Sequence, residues 1–204
     1  MAKRGRKSAY INKLTTKDRN LLKALKNVGY LTQQHVKEEI GLSDKRLLNF
    51  QRDNYVERCA FYNKKTKEAE HIYRLTDRGK TLCETQLGLE NFYKSVSARH
   101  DLGLADQYFN LSIEERESWR TEGDLRNELQ NHIENLRNVG EIGRSEELKE
   151  MMQERTISVP DGGYMKDGQV VTVEVVTSSY GLVELAAKES YVEEMGFGYE
   201  IIKI

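Results

Sequence analysis

The chain has 204 residues, 32% of them charged and 38% apolar, with a formal net charge of −1. That apolar share supports a packed core and excludes disorder throughout, and every apolar run falls short of the roughly 18 residues that a membrane span needs. The basic opening, MAKRGRKSAY, has no apolar stretch behind it and so does not read as a secretory signal. Two cysteines, Cys59 and Cys83, make no disulfide framework and fit a reducing, cytoplasmic setting. The four histidines are scattered without a spacing suited to zinc.

The near-zero total conceals a split. Residues 1–95 hold 21 Lys and Arg against 11 Asp and Glu, and residues 96–204 hold 11 against 22. A basic half joined to an acidic half predicts a polyanionic partner for the first, most commonly nucleic acid.

In chain order, residues 1–13 form a basic arm containing Arg4 and Arg6. Its alternative reading is a solvated tail. Thr15 or Thr16 can cap a first helix whose apolar positions are Leu21, Leu22, Leu25 and Val28, and Gly29 ends it. Thr32 can cap a second helix that carries Val36 and Ile40 and stops at Gly41. A third runs from Ser43 to about Asp53, with Leu47, Leu48 and Phe50 apolar and Lys45, Arg46, Asn49, Gln51 and Arg52 on its other sides. Two helices about a short turn, the second rich in basic and amide groups, predict a helix-turn-helix. Tyr55–Phe61 and His71–Leu75 then read as a β-hairpin with a basic tip at Lys64, Lys65 and Lys67, and Thr76 opens another helix.

The pattern GLSDKRLLNFQRDNYVER followed by YRLTDRGK resembles winged helix-turn-helix domains across residues 14–90. The resemblance implies DNA binding. Ser43, Lys45, Arg46, Asn49 and Arg52 would face the major groove, with Lys64, Lys65 and Lys67 on phosphate or in the minor groove, joined there by Arg4 and Arg6. A winged helix used for protein contacts is the alternative, and the basic balance of this half argues against it.

The second half, residues 91–204, predicts an α/β domain with a small mixed sheet, making the whole chain α+β. Leu87–Leu111 reads as one long helix, or two joined softly at Gly103, and Trp119–Glu122 as a short strand. Residues 124–155 read as a charged, solvated helical hairpin, broken at Gly140 and Gly143 and inserted into the domain as a possible dimer surface. Ile157–Met165 and Gln169–Thr177 form a hairpin about Asp167-Gly168, followed by a helix from Leu182 to Met195 and a last strand, Tyr199–Ile204.

The order helix, strand, hairpin, helix, strand, with Pro160-Asp161-Gly162 and then Glu174, resembles the PD-(D/E)xK, restriction-endonuclease-like superfamily. More narrowly, it resembles the replication-relaxation family of plasmids and related mobile elements. The matching stretches are His100-Asp101-Leu102, Pro160-Asp161-Gly162, Val173-Glu174-Val175 and Lys188-Glu189-Ser190-Tyr191. The resemblance implies Asp161 and Glu174 as ligands of a Mg2+ ion. Lys188 would act from the helix, because Val176 stands where the superfamily pattern has its lysine, and His100, Asp101, Glu122 and Tyr191 would be accessory.

Plain structural readings stand beside these. Asp161 suits a turn, Glu174 and Thr172 could lie on the outer face of an edge strand, and a helical Lys188 is ordinarily solvated. The acidic balance of this half repels DNA. The sequence therefore predicts a sequence-specific double-stranded DNA-binding protein of a plasmid, conjugative element or phage. Its C-terminal domain would serve dimerisation or protein contacts, with no cofactor and no membrane. A Mg2+-dependent endonuclease or nickase and a protein-binding adaptor are the alternatives.

Overall fold

A computed structural model describes residues 10–63, 67–95, 97–178 and 180–204. The chain is α+β and divides into two compact units, residues 1–90 and 91–204.

In the N-terminal unit, α1 spans Thr16–Val28. Thr15 caps it: its hydroxyl accepts from the Asp18 N–H, and the Asp18 carboxylate accepts from the Thr15 N–H. This reciprocal pair satisfies two backbone donors that the helix leaves without partners. Leu21, Leu22, Leu25 and Val28 turn inward and are buried. β1 is Leu31–Thr32. The expected second helix is present but short: Gln33 and Gln34 are helical and run into a π-turn, His35–Glu39, closed by the Ile40 N–H on the His35 carbonyl. Thr32 does cap this turn, accepting from the His35 N–H at 3.1 Å. Val36 and Ile40 are buried, so this short, wide-turned helix delivers both side chains to the core.

α2 spans Asp44–Arg52, capped by Ser43. β2 (Val56–Asn63) and β3 (Glu68–Leu75) form an antiparallel hairpin, and the sheet order is β1-β3-β2. Along β2 the burial alternates residue by residue, which is the signature of a ribbon with one face in water. α3, Asp77–Leu87, is capped by Thr76.

In the C-terminal unit the elements are α4 (Ala98–Asn110), α5 (Ile113–Glu117), β4 (Arg120–Thr121), α6 (Glu122–Asn138), α7 (Ile142–Glu154), β5 (Gly162–Lys166), β6 (Gln169–Val176), α8 (Leu182–Met195) and β7 (Gly198–Lys203). The sheet order is β4-β5-β6-β7; the first three strands are antiparallel, and β7 runs parallel to β6.

Two expectations change here. The stretch 87–111 is not a continuous helix. α3 stops at Leu87, where Gly88 takes positive φ, and α4 starts afresh under a Ser97 cap. Gly103 is no joint but lies inside α4. A Cβ there would come within 2.9 Å of Ile204 and 3.2 Å of Val175, so the glycine lets the helix press onto β6.

The charged helices are likewise not a solvated insertion. Leu125, Leu129 and Ile133 recur every four residues on α6. They are buried with Leu148, Ile157, Val159, Tyr191 and Val192 in one cluster. The charges cover the outer faces and the apolar stripe forms the core. The break between the two helices falls at 139–141, and Gly143 sits inside α7.

Candidate functional site

Two places gather the side chains that the sequence singles out. The first is the α2 face. Ser43, Lys45 and Arg52 are exposed and Asn49 is half-buried. Lys67 is exposed beside the hairpin tip, while Lys64, Lys65, Arg4 and Arg6 lie outside the described residues.

Arg46 is placed differently from its neighbours. Its guanidinium bonds both oxygens of Asp18, at 2.9 and 2.7 Å, bonds the Lys13 carbonyl at 2.7 Å, and lies over the Phe50 ring. The Asp18 side chain is fully buried and that of Arg46 is 25% exposed. Burial pushes the Asp18 carboxyl up, but Arg46 and the Thr15 N–H and hydroxyl outweigh it and hold the group below the usual carboxylate range. The expected base-reading role of Arg46 therefore meets a side chain already spent inside the fold, holding α2 to α1. Arg58, exposed on β2, is a further cation on the hairpin.

The second place lies in the C-terminal unit. In the β5–β6 register Gly162 faces Val173, which sets Asp161 opposite Glu174. The Asp161 N–H donates to Glu174 Oε2 at 3.1 Å, and the Val175 N–H donates to Asp161 Oδ2 at 2.8 Å. From α8, Lys188 Nζ stands 3.2 Å from Glu174 Oε2 and donates to the Val159 carbonyl at 2.6 Å. From α4, His100 Nε2 lies 3.0 Å from Asp161 Oδ2, with Nδ1 3.5 Å from Asp101 and 3.2 Å from the Tyr93 hydroxyl. The Tyr180 hydroxyl donates to Glu174 Oε1.

β6 is flanked on both sides, by β5 and β7, so it is not an edge strand, and Glu174 is 1% exposed. The outward-facing reading of Glu174 is thereby overturned, and so is that of a solvated Lys188, whose side chain is 13% exposed. Burial, then the neighbouring Asp161 charge, push the Glu174 carboxyl up to about 7 against the opposing pull of Lys188 and Tyr180. Burial disfavours the charged form of His100, yet hydrogen bonds to Asp101 and Asp161 outweigh it and carry the imidazole up to about 10.

Tyr93 and Tyr180 complete this cluster, and neither belongs to a quoted motif. Glu122 pairs instead with Arg126 on its own helix, and the Tyr191 hydroxyl donates to the Leu125 carbonyl within the apolar cluster.

Mg2+ demands several oxygen ligands in near-octahedral geometry. Both oxygens of Glu174 and Oδ2 of Asp161 are already taken by backbone N–H groups, a hydroxyl, an ammonium and an imidazole. Two of those donors carry the positive charge that a metal would supply. The donor set as arranged does not fit Mg2+. Among the described residues no group of three or more His, Cys, Asp and Glu side chains is placed to hold a metal ion. A cleft of about 590 Å3, lined by Arg126, Arg155, Tyr180, Val183, Glu184 and Lys188 among others, borders the cluster on the α8 side.

Among the described residues no helix is long and apolar enough to cross a membrane. No protein-family model, curated protein or solved structure matches the chain.

Proposed function

We propose that the protein binds double-stranded DNA through α2 and the β2–β3 hairpin, as a winged helix-turn-helix, and serves replication, transfer or transcription control on a mobile element. The observation that carries this reading is the α2 surface. One long side chain, Arg46, locks the helix to α1, while Lys45, Asn49 and Arg52 stay at or near the surface in a half-chain of strongly basic balance. Asn and Lys on such a helix suit the major-groove edges of adenine and guanine. The helix and strand order of the C-terminal unit supports reading it as a restriction-endonuclease-like domain, its acidic pair closed by internal donors. We read it as a non-cleaving domain for dimerisation or protein contacts. The exposed apolar pairs Leu182–Val183 and Val139–Ile142 support a contact role.

The test starts from a duplex site selected from a random library, followed by titration of that site and of random duplex at several salt concentrations. Lys45→Ala and Asn49→Ala should each weaken the selected site by about tenfold and leave random DNA nearly unchanged. Lys67→Ala should weaken both alike and flatten the salt slope by about one. Absence of salt-sensitive binding to any duplex would sink the proposal.

A second reading, a Mg2+-dependent nickase, is favoured by the meeting of Asp161, Glu174 and Lys188. Supercoiled plasmid incubated with Mg2+ or Mn2+ separates the two. Nicking by the natural chain that is lost in Glu174→Ala would establish the nickase; intact plasmid supports the non-cleaving domain.

A further inference from the structure

The cleft on the α8 side of the C-terminal unit has a chemistry of its own. Its floor is aliphatic: Leu129 of α6, Ile157, Val159 and Ala187 of α8 are buried, and Met152 of α7 is half-buried beside them. Its volume of about 590 Å3 lies in the usual range for small-molecule sites. Lys188 and Tyr180 belong both to the cleft and to the buried cluster, since each meets Glu174. Residues 96–204 hold only 11 Lys and Arg against 22 Asp and Glu, yet three of the 11, Arg126, Arg155 and Lys188, line this one cleft.

Most of the charges around it are already engaged. Arg126 pairs with Glu122, and Lys188 with Glu174. Of the two acids that line the cleft, Glu184 accepts from the Gly181 N–H at 2.8 Å, while Glu154 is exposed. The Arg155 side chain is exposed too and, among the described residues, has no ion-pair partner. Arg155 also stands where other helices carry glycine. It is the C-cap of α7 at φ 61°, whereas α3 and α8 end on Gly88 and Gly196 at φ 63° and 65°. A side chain is disfavoured in that left-handed conformation. Nothing in the packing of α7 accounts for an arginine there, and residues kept in such conformations gather at ligand sites.

We infer that the cleft binds a small aliphatic carboxylate. Its chain lies on the floor of Leu129, Ile157, Val159 and Ala187, and its carboxylate is held by the Arg155 guanidinium, with Arg126 as a second donor. The floor has no aromatic ring on which a nucleobase could stack. The planar fork of a guanidinium matches a carboxylate through two parallel bonds. Burial of the chain supplies affinity, and the charge fixes its orientation.

The experiment is a calorimetric titration of the full chain with octanoate at neutral pH, with octanol and acetate as controls. Octanoate should bind about tenfold more tightly than octanol, the worth of one charge-assisted pair, and acetate should give no heat of binding. Arg155→Gly should lose about tenfold for octanoate and nothing for octanol. Its Tm should hold or rise, because glycine relaxes the left-handed cap. Arg155→Lys keeps the charge without the fork and should fall between the two.

Absence of octanoate binding, octanoate no tighter than octanol, or octanoate binding undiminished in Arg155→Gly would each overturn the inference. A lowered Tm in Arg155→Gly would assign the arginine to the stability of α7 and overturn it as well. No nucleic acid enters the measurement, so its outcome is separate from that of the DNA reading.

Discussion

In the N-terminal unit one buried acid, Asp18, is met by one arginine that keeps a quarter of its side chain in water. In the C-terminal unit two acids, Asp161 and Glu174, are met by Lys188, His100, Tyr180 and backbone N–H groups, with almost nothing left in water. Both clusters tie separate elements together, α1 to α2 in one case and α4, β5, β6 and α8 in the other. They differ in what remains. The first lock consumes one side chain of α2 and leaves its neighbours at the surface. The second engages both oxygens of Glu174 and one of Asp161 and leaves little of the cluster at the surface. Residues that look alike in a sequence as charges near a motif thus divide by burial into those holding a surface in place and those forming one.

The comparison can be broken most directly at Lys188. Lys188→Met removes the cation beside Glu174 and leaves its carboxyl buried against Asp161, with only His100, on the Asp161 side, to offset the pair. The expected cost is about 3–5 kcal/mol. Trp119, the single tryptophan, is buried in the same unit, so urea unfolding followed by its fluorescence reads this cost. A shift below about 1 kcal/mol would mean that the cluster is not a lock.

Arg46→Ala makes the matching test on the other side. It strands Asp18 and should cost the N-terminal unit about 3 kcal/mol. Amide hydrogen exchange in α1 measures it, with the Trp119 transition unmoved. Should Arg46→Ala keep α1 protected and instead lose only selected-site affinity, Arg46 would be a base reader after all.

An effect is also expected from pH, and its sign differs between the units. The native Asp18 carboxyl is depressed, so its contribution is complete above the unfolded value of about 4 and is lost as pH falls through the lowered native value. Native Glu174 is raised to about 7, so the folded C-terminal unit holds that proton longer than the unfolded chain does, and its stability falls as pH rises from about 4.5 to about 7. His100, raised to about 10, adds stability that is complete below about 6.5 and is lost as pH climbs towards 10. Acid should therefore weaken the first unit and alkali the second. Circular dichroism in acid and Trp119 fluorescence in alkali check the two arms, and a common optimum for both units would contradict the assignment.

The smallest expected effect is Thr15→Ala, about 1 kcal/mol from the lost cap. It should appear as faster exchange in the first turn of α1 alone.

Much of this architecture was legible because its signals are local. Thr15, Ser43 and Thr76 announce helix starts, Gly29 an end, and alternation the hairpins, since caps and periods act within a few residues of chain. The trio Asp161, Glu174 and Lys188 was legible through its resemblance to a known pattern. Tyr93 and Tyr180 carried no such signal. The π-turn at His35–Glu39 was not legible either, because the positions of Val36 and Ile40 suit a full helix equally well. The apolar stripe at 125, 129 and 133 is legible in the sequence, but its burial is not, because its partners Ile157, Val159, Tyr191 and Val192 come from later elements.

By itself, then, the sequence determined most of the element order, the helix starts at Thr15, Ser43 and Thr76, the strand pairing about Asp167-Gly168 and the opposed charge of the two halves, all fixed by neighbours in the chain or by composition. Only the tertiary structure decided which charges are spent. Arg46 meets Asp18 across 28 residues, Asp53 meets Ile11 across 42, and His100 meets Asp161 across 61. Whether a charged side chain faces water or a buried partner depends on the packing of elements far apart in the chain, and no local pattern encodes that desolvation.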